Sequence, residues 1–135
     1  YDKDVLEKMK AFPDKIGASI KKYRFREALG EVMNLARLGN KYLADTEPWK
    51  LKKTNEHRAE TIMFVAIQIA ASLAILSEPF LPFSSKKLKQ ILALNNVGWE
   101  DAGKEIIPCG HQINKAIHLF DKIDDEKIKL QFITK

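Results

Sequence analysis

The residues with the strongest claim to chemistry lie in one segment, Asn40-Lys41-Tyr42-Leu43-Ala44-Asp45-Thr46-Glu47-Pro48-Trp49-Lys50. A helical pattern runs into a proline, and a tryptophan set among lysines follows. Proline fixes its own backbone just ahead of the indole, which pre-sets part of the ring's placement. A rigid aromatic face in a basic setting is a stacking platform for an unpaired nucleic-acid base, a contact of roughly 1–3 kcal/mol per base. Readers of RNA sequence favour unstacked loop bases for this reason. The rival reading makes Trp49 a hydrophobic lid over the end of a bundle. Trp99 serves as a control: it too follows a loop, but Glu100 and Asp101 beside it would repel a phosphate backbone. Packing is the expected role of Trp99.

Charge placement supports the nucleic-acid reading. The chain has 135 residues and a formal net charge of +5. From Lys21 to Arg58 ten basic residues face five acidic ones, so the whole surplus sits in that span. The stretch from Asp101 onward is balanced. A localised basic surplus is the footprint expected of a polyanion binder, although a solvated basic face gives the same count. Within it, Lys41, Lys50, Lys52 and Lys53 are the candidates for phosphate contact, by charge and by nearness to Trp49.

Other chemistries find no support. There is no glycine-rich phosphate loop, and no Cys or His pair has metal-ligand spacing. His57, His111 and His118 are scattered, and structural or surface roles are expected for each. The one cysteine, Cys109, cannot form an internal disulfide and is read as a small semi-buried residue suited to a reducing cytosol. No catalytic residue, metal or cofactor is expected in this chain.

The elements that must position Trp49 are helical. The chain is 45% hydrophobic and 30% charged, as expected of one folded domain over residues 1–135. Five prolines punctuate it, and helical periodicity fills the intervals. A short amphipathic helix is expected from Asp14 to Lys22. A long one follows from Phe25 to Ala44, with Leu29, Val32, Met33, Ala36, Gly39, Asn40 and Leu43 on its apolar stripe. Gly39 on that stripe would admit a close neighbour. Asn55 to Ser77 is the next helix, capped by Thr54 or Asn55. Its apolar run Ile62–Leu76 is too short to cross a bilayer, holds Gln68 and Ser72, and is expected to be a buried central helix.

Glu78 to Phe83, with Pro79 and Pro82, reads as an extended link. Ser84 or Ser85 would cap a helix to about Leu94, and a last helix is expected from Asp124 to Phe132. The segment from Asn95 to Gly110 reads as loop, with room for a brief β pair between Trp99 and Ile113. The fold class is all-α, an antiparallel bundle of about four or five helices. No signal sequence opens the chain, and Tyr1 in place of methionine suits an internal segment of a cytoplasmic protein.

Together these pieces resemble one family. Asn40-Lys41-Tyr42 followed by Pro48-Trp49 resembles the anticodon-binding domain of class I methionyl-tRNA synthetases. Arg26-Glu27-Ala28-Leu29 is similar to the helix leading into that motif, and Glu78-Pro79-Phe80-Leu81-Pro82-Phe83-Ser84 to the family's proline link. Gly110-His111-Gln112-Ile113 and Leu119-Phe120-Asp121-Lys122-Ile123-Asp124 resemble the run into its final helix. The resemblance implies that Trp49 stacks on an anticodon base with Pro48 beside it. It implies methionine tRNA as partner, and a catalytic domain in the same parent chain that uses ATP. It also implies an opening helix upstream of Tyr1, carrying two further anticodon readers. Without that helix an apolar groove and self-association are expected. The alternatives are the equivalent domain of another class I synthetase and a helical protein-interaction module without RNA binding.

Overall fold

The computed structural model describes residues 1–120 and 124–133, the last three by backbone alone. Residues 121–123 of the Leu119–Asp124 run, and residues 134–135, lie outside the described residues. The order is α1 (Asp2–Lys21), α2 (Phe25–Thr46), the single turn α3 (Pro48–Leu51), α4 (Glu56–Leu76), α5 (Pro82–Ile91), a 3₁₀ turn (Trp99–Asp101) and α6 (Asp125–Ile133). α1 packs on α2, while α2, α3 and α5 all pack on α4, which α1 also reaches. The described residues contain no strand, so Trp99 and Ile113 do not pair. The all-α bundle expected from periodicity is what forms.

The central element is α4. Ile62, Val65, Ile69, Ala71, Ala74, Ile75 and Leu76 are all buried, as expected of a helix that is apolar nearly all round. By length and composition the whole helix would span a bilayer, but more than half of its apolar window is buried inside the protein. Its start is set by Asn55, whose Oδ1 accepts from the Arg58 amide at 3.2 Å. Gln68 is the buried polar residue on which the loop after α5 hangs. Its Nε2 donates to the Ile107 carbonyl at 2.6 Å, and its Oε1 accepts from the Ile106 and Ile107 amides at 2.8 and 3.0 Å.

Five expectations are corrected. The first helix begins at Asp2, not Asp14, and runs through Pro13. Proline in a helix interior costs about 3 kcal/mol; here Val5, Met9, Pro13 and Ile16 form one buried stripe, and that burial offsets the cost. Gly103, at φ +82°, fits closely against this stretch of α1, where a Cβ would stand 3.1 Å from Pro13 Cγ and 3.2 Å from Lys10 Cα. The buried stripe of α2 is Ala28, Val32, Leu35 and Tyr42, one position away from the expected one, which leaves Leu29 and Met33 partly exposed. Gly39 does allow the expected close approach, since a Cβ there would lie 3.2 Å from Ile69.

The proline link is not extended. Residues 77–80 form a turn, and Pro82 opens α5 at its first position, where a missing amide is harmless. Ser85 therefore lies inside α5, buried, with its hydroxyl donating to the Ala74 carbonyl rather than capping, and α5 stops at Ile91 instead of Leu94. Finally, Cys109 is exposed rather than semi-buried. Trp99 is partly buried against the main core, the packing role expected of it.

Candidate nucleic-acid interface

Three helix ends converge around Trp49. The last turn of α2 is tightened by the Thr46 hydroxyl, which donates to the Tyr42 carbonyl at 2.6 Å. Glu47 then adopts the left-handed conformation, φ 43° and ψ 60°, a strained choice for a residue with a Cβ. That reversal places Pro48 at the first position of α3, where its fixed φ suits the turn. Lys50 reaches back across the turn to Glu47 at 2.9 Å.

Pro48 is buried and Trp49 is 61% exposed, so the proline anchors α3 while the indole stands in solvent. An indole this exposed is not enclosed in the core. Between α3 and α4 the indole borders an open groove of about 400 Å³, lined also by Pro48, Lys52, Glu56, Ala59, Glu60 and Met63. The floor is apolar. Lys52 offers a cation at the rim, whereas Glu56 and Glu60 are acceptors that would repel phosphate and welcome an exocyclic amine.

The four candidate lysines part company in the structure. Lys52 lines the groove, and neither it nor Lys53 makes an ion pair among the described residues. Lys50 is held by Glu47. Lys41 belongs elsewhere: it pairs with Asp45 at 2.8 Å and lines a second groove, between α1 and α2, with Lys8, Phe12, Lys15 and Arg37. The Asp45 partnership raises the Lys41 pKa, and the same pair, with the Tyr1 hydroxyl, holds the Asp45 carboxyl down. Lys41 thus offers a phosphate less than the two unpaired lysines do.

Behind the site lies a polar cluster that spacing alone did not single out. Asp2, in the first turn of α1, accepts from the Tyr42 hydroxyl at 2.7 Å. The Arg58 guanidinium grips the same carboxylate with both terminal nitrogens, Nη2 standing 3.0 Å from Oδ1. Tyr42 is fully buried. Arg58 holds the Asp2 carboxyl at about 2, well below its usual range, and the Tyr42 hydroxyl helps against the opposing effect of burial. Burial first, and then the bond to Asp2, pushes the Tyr42 hydroxyl well up. The residues joined lie 40 and 56 positions apart, beyond the reach of local pattern.

This cluster makes stability depend on acid. The folded Asp2 pKa lies below the ordinary 3.8, so its contribution is complete above that value and is lost as pH falls through about 2. The Asp2 side chain keeps 22% of its surface exposed, so solvent screening is allowed for, leaving about 1–2 kcal/mol. The stability gap between the protein and its Asp2→Asn variant should therefore close between pH 4 and pH 2, measured by denaturant melts. A gap unchanged across that window would rule out the ionised pair as its source.

Comparison with known proteins agrees with this architecture. Residues 2–132 match the family model for the anticodon binding domain of methionyl tRNA ligase. The chain is 55% identical to the methionine–tRNA ligase of Christiangramia forsetii, over 96% of its own length and 20% of the relative's. It is 55% identical to that of Cytophaga hutchinsonii, over 96% of the chain and 19% of the relative. It is 47% identical to that of Bacteroides fragilis, over 97% and 19%. The chain thus spans about a fifth of the length of the curated relatives it matches. A helical bundle with an exposed tryptophan after a buried proline, matched along nearly its whole length, belongs to the family of methionyl-tRNA ligase anticodon-binding domains.

Proposed function

We propose that this domain holds the anticodon loop of methionine tRNA, with Trp49 stacking on an unpaired base and Pro48 fixing the turn beneath it. The observation that supports this most directly is the 61% exposure of an indole anchored by a buried proline. In this reading the parent protein is a cytoplasmic methionine–tRNA ligase. ATP-dependent chemistry resides in a catalytic domain of the same chain, and this domain contributes tRNA selectivity without a cofactor of its own. The groove beside Trp49 has room for a base, and Lys52 and Lys53 meet the backbone. Exposed Phe25, Leu29 and Met33, one turn apart on α2, support self-association of the chain in isolation.

The test is a salt titration of binding to a labelled methionine tRNA anticodon stem-loop. Contacts to phosphate release counterions, so log affinity should fall linearly with log salt. Replacing Lys52 or Lys53 by alanine should reduce the slope by about 0.7 each, the single-strand value per phosphate. Lys41→Ala should change it less, because Asp45 already neutralises that cation. Binding that is absent, or equal for an unrelated stem-loop, would instead favour a protein-interaction module.

A further inference from the structure

The Trp49 turn is short, strained at Glu47, and in need of something that fixes both of its ends. Those ends are the last turn of α2, which holds Tyr42, and the first turn of α4, which holds Arg58. Both residues point to one acceptor from a third helix, the Asp2 carboxylate. We propose that Asp2, with Tyr42 and Arg58, is a positioning device for Trp49: one carboxylate clamps the two helix ends between which the Pro48-Trp49 turn is strung.

Several features of the molecule converge on this reading. The helix α3 is one turn long and cannot hold a conformation of its own. Buried Pro48 and part-buried Leu51 seat it on the core, but its ion pair, Lys50 with Glu47, has both side chains largely exposed, and such pairs contribute little. The left-handed backbone at Glu47 persists only if its surroundings over-determine it. The Asp2 cluster is more enclosed, and its Arg–carboxylate contact is bidentate, which adds direction as well as strength. A second set tightens the same corner: the Tyr1 hydroxyl donates to Asp45 at 2.6 Å, and the Tyr1 ring lies 5.5 Å from that of Tyr42. None of these groups lines the groove beside Trp49.

The inference rests on the stacking role of Trp49 for its functional meaning, and the test separates the two. In the full-length protein, Asp2→Asn and Tyr42→Phe are made with Trp49 present and with Trp49→Ala. Tyr42→Phe keeps the buried ring and serves if Asp2→Asn does not fold. Stem-loop affinity should weaken about 3- to 10-fold when Trp49 is present. In the Trp49→Ala background the same change should weaken it by less than about 2-fold, since the residue acted upon is gone. In parallel, the protein is labelled with 5-fluorotryptophan, and the fluorine line of Trp49 is assigned by its loss in Trp49→Ala. That line should shift or broaden in both variants. An equal penalty in both backgrounds, or an unchanged fluorine line, overturns the proposal. If Trp49→Ala itself leaves binding intact, the stacking role fails, and the fluorine line alone then decides whether the cluster sets the indole's position.

Discussion

Trp49→Ala in the full-length protein should weaken binding of methionine tRNA by about 5- to 150-fold, the equivalent of one lost stacking contact of roughly 1–3 kcal/mol. Aminoacylation at limiting tRNA should fall by the same factor. Thermal stability should barely move, because an indole 61% exposed contributes little packing. Methionine activation measured without tRNA should be unchanged, in keeping with the proposed placement of that chemistry in another domain. A buried tryptophan behaves otherwise, costing roughly 3–5 kcal/mol on truncation. A large fall in melting temperature, with tRNA use intact in the folded remainder, would show that Trp49 is a packing residue after all.

Gln68→Leu should be the most damaging single change to the fold. The side chain is fully buried and meets three backbone groups, the Ile106 and Ile107 amides and the Ile107 carbonyl. Leucine fills a similar volume but strands all three, and each buried unsatisfied group costs about 1–3 kcal/mol. Partial relaxation of the loop brings the expected total to roughly 3–5 kcal/mol. The loss should be localised first: hydrogen exchange at Ile106 and Ile107 should accelerate well before that of the α4 interior. Stem-loop affinity of the folded variant should be unaffected, because the groove uses Ala59, Glu60 and Met63, earlier on α4. A drop below about 1 kcal/mol would mean that water replaces the amide at these groups.

The two effects differ in how far they were legible in the sequence. Trp49 stood out because its signal is local: a proline, an aromatic and nearby lysines within a few residues. Gln68 was visible only as a polar interruption of an apolar run, and nothing nearby names its partners, which lie 38 and 39 positions away. The groove residues Glu56, Ala59, Glu60 and Met63 do share one face of a helix by spacing, but which face meets α3 is fixed by packing. The first helix was underestimated because the cost of Pro13 is local whereas the burial that offsets it is tertiary.

Sequence by itself determined the helical class, the burial of the Ile62–Leu76 run, the end of α2 before Pro48 and the family, because periodicity, proline chemistry and short motifs are written in neighbouring residues. Tertiary structure alone decided that α2 buries Ala28, Val32, Leu35 and Tyr42 in place of Leu29 and Met33, and that one carboxylate joins three helices behind Trp49. The physical reason is the same in each case. A helix repeats every 3.6 residues, so a stripe displaced by one position is nearly as regular as the true one, and only the partner surface selects between them. Charges likewise find partners by proximity in space, and chain order does not record which helix ends will meet.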